Sequence, residues 1–529
     1  MQATKKIRKK VSIGNIAALL AATAFLGQLL GLLRTRLVNA NFDAVGPNST
    51  DAYFAAFNIP DFVFFTLSAG ALGVAFMPVL ADRLAKSDKR GIWMLSSSLM
   101  NFLALIMLVV GIIIFVFAEQ LIRYIVAPNL TPEQLHNTVV IMRFLAFSPL
   151  LFTLSGVIMS VQQTLGRFFF FAIAPLLYNL SIIASIFIFR DNIGLVGLGI
   201  GALAGGVIQL LIAIIGLYGT GFKWTPRIHW KNADFRLILR QLPPRSLDQG
   251  ADQINSIVET NLASRLGTGT ISHYNNAFTL HNAPIMLIGT AIATAAFPSM
   301  NNRLSQGRPD LFRKEFLKTL RAMIWIIMPV AVICFFARGY LARLLFANYA
   351  PEIALIFGFL TAAIFFRTVY ALVSRWFYAQ KDTWTPLIVS VFTIGFNIVL
   401  AYHLAKPGSY EAAGLAIAQS IVAAVEVFIL GAIMVWRDHK LFDADFINGI
   451  IKIISVTGFS VIAGYIMISF LPLSLGDTGF VTLVTKFLAI AGVTAVVHVT
   501  VSALMGLEEA KPIFKWIRRV IFRPIKVQF

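Results

Sequence analysis

The chain is 529 residues long, 58% hydrophobic and 13% charged, with a mean hydropathy of +0.79. Soluble domains carry about 25% charged residues, so a soluble globular protein is excluded. A net charge of +20 would point to nucleic acid in a soluble chain, but membrane proteins collect Lys and Arg in cytoplasmic loops, so no nucleic-acid partner is expected. The single cysteine, Cys334, rules out a disulfide framework and a CxxC site. There is no HExxH helix and no Walker loop, which removes zinc hydrolysis and ATP hydrolysis by those routes.

A bilayer core is about 30 Å thick and takes about 20 apolar residues per helix. Backbone groups in lipid must be satisfied within the segment, so long apolar runs there are helices. In chain order, spans are predicted near 12–40, 50–80, 91–118, 135–165, 169–190 and 194–219. A basic connector follows from Lys223 to Arg245. Further spans are predicted near 243–266, 271–302, 316–338, 352–379, 384–404, 411–435, 448–471 and 479–506. The expected fold class is an all-α polytopic integral membrane protein with about 14 transmembrane helices. Of the 44 basic residues, 32 fall in alternate gaps and the two ends, against six in the opposite gaps. That bias predicts both termini in the cytoplasm of a multi-pass protein. The first apolar run is too long for a signal peptide and ends in Arg34 and Arg36, without a small-residue cleavage site.

The chain also repeats itself at an offset of about 220. Pro78 precedes Arg83-Leu84 as Pro298 precedes Arg303-Leu304. Tyr53, Ala56 and Phe57 match Tyr274, Ala277 and Phe278, and Leu121 and Arg123 match Leu341 and Arg343. Six spans per repeat give two lobes of the same orientation, related by a pseudo-twofold along the membrane normal, a layout of alternating-access transporters. The expected division is an N-lobe at 1–221, a cytoplasmic connector at 222–242, a C-lobe at 243–436, and two extra helices with a basic tail at 437–529.

Ionisable groups inside spans cost about 2.5–3.5 kcal/mol each at a helix centre and are functional candidates by default. Arg34 and Arg36 close span 1 about 200° apart, so at most one faces a given cavity; Arg36 has the option of snorkelling to the interface. Asp51 opens span 2, where ordinary capping is the alternative to a substrate role. Asp61 follows Pro60 and so sits at an expected kink. Span 7 is the most polar: Asp248, Asp252, Asn255 and Glu259 recur at helical spacing on one face. Such a stripe is expected to line an aqueous cavity, its carboxylates being candidates for Na⁺ or a proton. Gly27-Gln-Leu-Leu-Gly31 and the Gly194–Gly206 run are read as close helix packing. No catalytic residue and no metal site beyond a monovalent cation is expected.

Four stretches resemble one family, the MurJ/MviN-type lipid II flippases of the MOP transporter superfamily. They are Leu30-Gly-Leu-Leu-Arg34 with Asp51 to Pro60 and Ala75-Phe-Met-Pro78; Gly166-Arg-Phe with Ala172 to Pro175 and Asn179; Gln253 to Glu259 with Ala263-Ser264 and Gly269 to Ser272; and Phe377 to Pro386. The resemblance covers nearly the whole chain. It implies a V-shaped pair of six-helix lobes, a central cationic cavity for a pyrophosphate–sugar head group, and extra helices that make a groove for the polyprenyl tail. It also implies net movement from the cytoplasmic to the outer leaflet.

The resemblance carries Arg34 over as a substrate contact. Other cationic positions differ: Gln28 stands in span 1, Phe64 in span 2 and Thr279 in span 8, and the family's Ala-Glu-Gly-Ala reads Ser68-Ala-Gly-Ala71. Fewer charges mean a weaker pull on a diphosphate, leaving other cations or a different lipid-linked substrate as alternatives. The family also has a C-lobe cation site, which Glu259 and Asn397 fit, with Ala401 where a further acid is expected. The expectation is a lipid-linked oligosaccharide flippase, no enzyme. Its partner would be a polyprenyl-diphosphate lipid such as lipid II, handled by a monomer in the bacterial cytoplasmic membrane with Na⁺ or H⁺ as coupling ion. The substrate-binding candidates are Arg34, Gln28, Asp51, Asp61, Asn255 and Thr279. The coupling candidates are Asp248, Asp252, Glu259 and Asn397. The rival classes are another MOP transporter, for polysaccharide lipids or drugs, and a non-transporting scaffold.

Overall fold

A computed structural model describes residues 13–69, 76–346, 348–474, 476–477 and 479–512, with side chains from 19 onward except 69 and 241–249. The described residues form helices and turns, with no strand among them. The chain divides into two compact units, Met1–Ser272 and His273–Phe529.

The first unit runs through α1 (Ile13–Asn41), α2 (Thr50–Phe64), which continues as a π turn at Phe65–Ala69, and α3 (Met77–Ala85). Next come α4 (Lys89–Leu121) with a π turn at Ile122–Val126, α5 (Pro132–Leu145), α6 (Ser148–Thr164), α7 (Phe169–Phe189), α8 (Val196–Gly216) and α9 (Ala233–Ser264). Thr131 and Gln134 form a reciprocal capping box that starts α5, with Pro132 at its first position. Leu95, Leu99 and Leu103 of α4 recur every four residues, hence on one face. They pack with Val157, Ile158 and Val161 of α6 and Phe235 and Ile238 of α9 in one buried cluster.

Helix α9 begins ten residues before the predicted start at 243. The Asn232 side chain accepts the amides of Asp234 and Phe235, an N-cap placed inside the basic connector. The rest of the connector is fastened to α4. Asn101 donates to the carbonyls of Thr225 (2.7 Å) and Arg227 (3.2 Å) and accepts from Trp224 Nε1 (3.0 Å). The α9 helix then packs on α2 and its π turn. Compactness thus groups α9 with the first unit, whereas the repeat places the same helix at the head of the second lobe.

The two glycine expectations part company. A side chain at Gly201 would overlap Ser185, and one at Gly205 would overlap Tyr178 and Ser181, so α8 and α7 touch through their glycines as expected. At Gly31, by contrast, an added Cβ meets nothing within 4 Å, and at Gly27 only Leu176 at 3.5 Å. The GxxxG of α1 therefore does not mark a tight crossing.

At the basic end of this unit Arg83 bridges Asp88 (2.5 Å) and Asp234 (2.5 Å), joining α3, the cap of α4 and the first turn of α9. The amide of Gly91 and then the Arg83 guanidinium hold the Asp88 carboxyl below its ordinary 3.8. A depressed value means that the contribution is complete above the unfolded-state pKa and is lost as pH falls through the folded one. The stability gap between the native chain and Asp88→Asn should therefore be small, equal at pH 7 and pH 5, and shrink only below about pH 4. Thermal unfolding of the two proteins across that range checks this; a gap that closes by pH 5 contradicts it.

The second unit follows α10 (Thr270–Pro284), whose first turn lies in the first unit, through a π turn at Ile285–Thr290 into α11 (Ala291–Ser305). Then come α12 (Pro309–Phe336), α13 (Arg338–Leu345), α14 (Ala350–Ala379), α15 (Trp384–Leu404), α16 (Glu411–Arg437), α17 (Ala444–Phe470) and α18 (Phe480–Leu504). Phe316, Leu320 and Met323 of α12, Leu372 and Trp376 of α14, and Ile453 and Val456 of α17 share its buried core. The two extra C-terminal helices are pinned through α12. Trp325 Nε1 donates to Ser502 Oγ (2.8 Å), and His498 bonds the Trp325 carbonyl (3.1 Å) and Ser460 (3.0 Å). A buried imidazole with both nitrogens engaged and no charge partner is a fastening between helices rather than a ligand site.

Among the described residues, eleven helical stretches are long and apolar enough to cross a membrane. The three remaining predicted spans coincide with α1, with α2 and its π turn, and with α9.

Candidate substrate and ion sites

Arg34 lies on α1, half-buried, within electrostatic reach of Asp61 and Tyr53 on α2 and Tyr178 on α7. Tyr53 is almost fully buried, and Asp61 and Gln28 are half-buried. One guanidinium, one carboxylate and two phenols thus gather between α1, α2 and α7. Pro60 sits within α2, and the π turn begins five residues later. Such turns are frequent at functional sites because they leave backbone groups off the regular ladder. At Phe64, where the resemblance leads one to look for an arginine, the structure has aromatic packing instead. Phe64 meets Phe65 (5.3 Å between ring centres) and Phe152 (5.6 Å), and Phe152 meets Tyr178 (5.1 Å). These are edge-on contacts of the kind aromatic rings favour.

Asp51 is spent on the backbone. Its carboxylate accepts from the amides of Gly269 (2.5 Å) and Ser272 (2.7 Å) and from Ser272 Oγ (2.7 Å), while Thr50 Oγ1 bonds the same serine hydroxyl (2.7 Å). With 1% exposure it caps the start of α10, not the start of its own helix as the capping alternative had it; there Ser49 is the cap. The Thr279 hydroxyl likewise turns back to its own helix, donating to the Asn275 carbonyl at 2.9 Å.

The polar stripe of α9 divides. Asn255 and Glu259 are buried, at 7% and 4%, and Asn255 Nδ2 donates to Glu259 Oε1 at 3.0 Å. Asp252 is exposed. The Asp248 side chain lies outside the described residues. A second seam joins α9 to α2, where Ser256 and Thr260 donate to Asn58 Oδ1 at 3.5 and 3.3 Å. Of the expected stripe, Asn255 and Glu259 thus bond to each other inside the protein while Asp252 is exposed. Asn397 is fully buried on α15, in the second unit.

The sequence profile of the family described as "Lipid II flippase MurJ" matches residues 46–487. The chain belongs to this family. The probable lipid II flippase MurJ of Buchnera aphidicola is 27% identical over 416 residues, 77% of this chain and 80% of that protein. Its counterpart in Borreliella burgdorferi is 24% identical over 513 residues, 95% of this chain and 98% of that one. A solved structure titled "Lipid II flippase MurJ, inward closed conformation" shares the fold with a TM-score of 0.74 at 21% identity, covering 90% of this chain and 98% of that one. An inward-facing MATE family transporter of the MOP superfamily gives 0.68 at 17% identity, over 78% and 95%.

This MurJ-family chain holds one further polar constellation, which spacing along the sequence does not reveal because its members come from three helices. In the second unit Arg367 of α14 pairs with Glu426 of α16 at 2.8 Å and donates to Gln419 at 3.3 Å. Ser390 of α15 donates to the other Glu426 oxygen at 2.7 Å and is bonded in turn to the Tyr370 hydroxyl at 3.1 Å. Glu426 is 2% exposed. A carboxylate in an apolar membrane helix was the available signal, since Glu426 stands alone among Val, Ile and Leu.

Proposed function

We propose that this chain is a lipid II flippase, carrying the peptidoglycan precursor from the inner to the outer leaflet of the bacterial cytoplasmic membrane as a monomer. The match to the flippase family over residues 46–487 carries this reading. Arg34 receives the diphosphate through charge-assisted hydrogen bonds, and Gln28, Asp61, Tyr53 and Tyr178 orient the remainder of the head group. With aromatic packing at Phe64, the diphosphate meets fewer cations and the sugars meet more ring surface. The two lobes of the repeat, expected at 1–221 and 243–436 around the connector, rock to expose this site to one face of the membrane at a time. A static channel would instead leak ions at about 2.3 kcal/mol per charge per 100 mV.

Rescue of a bacterium depleted of its own flippase tests the reading. Growth with normal cell shape supports it. Failure to rescue despite full membrane expression sinks it, and the likeness to MATE transporters then favours an ion-coupled exporter. Both termini and the Lys223–Arg245 connector are cytoplasmic in this reading. A cysteine replacing Lys231 should thus resist an impermeant label in intact cells, while one replacing Asn48 reacts; the reverse pattern overturns the orientation.

For coupling, Glu259 is the acid put forward to bind Na⁺ or a proton; Asn397 is a separate candidate from the family pattern alone. Glu259→Gln keeps an acceptor for Asn255 Nδ2 and removes only the charge. Expression should stay normal while the dependence of transport on Na⁺ or pH flattens. An unchanged ion response returns Asn255 and Glu259 to a packing role.

A further inference from the structure

A cavity of about 590 Å³ opens on the first unit beside the C-terminal end of α4, lined by residues of α4, its π turn and α5. It is the end remote from the Arg83 and Lys89 loop, which the charge bias places at the outer face. Its polar lining is Glu119, Arg123, His136 and Arg143. The remaining wall is apolar, with Pro128, Leu135 and Val139 among it.

Arg143 makes this cavity unusual. It lies eleven residues into α5, about 16 Å along the helix from Pro132, and it is exposed. A cation at that depth on an outward surface is unfavourable unless something meets its charge. Among the described residues it meets the Phe115 carbonyl, at 3.3 Å from Nε, and the Phe115 ring, at 5.6 Å. Neither is an anion. Arg123 is half-neutralised by Glu119 at 3.3 Å, an open pair with both side chains about half exposed. Two guanidinium groups and one carboxylate leave the mouth with net positive charge. Below it, toward the bilayer centre, α4 presents a continuous apolar strip of exposed Leu105, Leu108, Val109, Ile112, Ile113 and Val116. A cationic pocket above an apolar strip matches an amphiphile, with phosphate at Arg143 and Arg123 and acyl chains along α4.

We infer that this cavity is a binding site for an anionic membrane phospholipid, separate from the Arg34 site. The guanidinium forks take the phosphate oxygens, a geometry that arginine serves better than lysine. The lipid supplies the counter-charge that Arg143 lacks, and so holds α5 against α4 at the outer end.

Native mass spectrometry of the full chain, delipidated and titrated with phosphatidylglycerol, diacylglycerol or inorganic phosphate, tests this. Phosphatidylglycerol should be retained, diacylglycerol should not, and inorganic phosphate should fail to displace the lipid. Arg123→Gln/Arg143→Gln should lower phosphatidylglycerol retention at least tenfold. Glu119→Gln, which removes the one anion in the mouth, should raise it severalfold, and this second variant decides the matter if the double variant does not fold. Unchanged retention in both variants overturns the site, and so does equal displacement by free phosphate. None of these measurements requires transport, so the site stands or falls apart from the flippase reading.

Discussion

Arg34→Ala should abolish lipid II flipping while leaving the protein in the membrane at native levels. Arg34 is half-buried and, among the described residues, makes no close ion pair of the kind that pins Arg83; its charge faces Asp61 at longer range, so its loss should leave the fold largely intact. Removing one partner of a desolvated charge contact costs about 2–5 kcal/mol, which is roughly thirtyfold to several thousandfold in affinity or rate. Because the other expected cationic positions here are Gln28, Phe64 and Thr279, little remains to share that loss. The effect should therefore sit at the upper end of the range. Arg34→Lys should recover part of it, since an ammonium keeps the charge but loses the planar two-point fit to phosphate. Flipping of labelled lipid II by reconstituted protein, measured for all three forms, checks the series. Native activity in Arg34→Ala removes Arg34 from the transport site. Equal loss in both variants means that geometry rather than charge is what the position supplies.

Much of this was legible because membrane helices obey few rules. Runs of about 20 apolar residues locate helices, and punctuation by Pro, Gly and Arg ends them. The bounds of α7, α14, α15 and α16 fall within about two residues of expectation. Where the reading failed, the missing information was a partner distant in sequence. The Asn232 cap is the exception, since its partners are the nearby amides of Asp234 and Phe235. Asp51 has the residue type of a substrate contact and the position of a cap. The choice depends on Gly269 and Ser272, more than two hundred residues away. The α9 stripe was found by periodicity, but periodicity gives a face and not its surroundings: Glu259 is buried and Asp252 is exposed on the same face. Gly27 and Gly31 show the limit of a short motif, since the spacing permits close approach without supplying a helix that makes it.

The Arg367–Glu426 pair is the second place where a large effect is expected, this time on stability. Glu426 is buried and Arg367 partly so in the second unit, with Gln419 and Ser390 completing the hydrogen bonds. Breaking a buried pair by removing one member costs about 3–5 kcal/mol, because the other charge is left uncompensated. Glu426→Leu should accordingly unfold at markedly lower temperature in detergent and accumulate poorly. Arg367→Leu should do comparable harm, since it leaves Glu426, 2% exposed, with Ser390 but without its counter-charge. The double variant Arg367→Leu/Glu426→Leu removes both charges and should regain most of the loss. It should not regain all of it, because Gln419 and Ser390 lose partners at about 1–3 kcal/mol for each buried group left unmet. Thermal unfolding of the four proteins gives the coupling energy by a double-mutant cycle. A double variant as unstable as Glu426→Leu would mean that the pair contributes little beyond its separate contacts. Flipping then separates fold from mechanism. A stable double variant that transports normally makes the pair a clip between α14, α15 and α16. A stable double variant that does not transport assigns the charged network, its two charges and their bonds to Gln419 and Ser390, to the transport cycle.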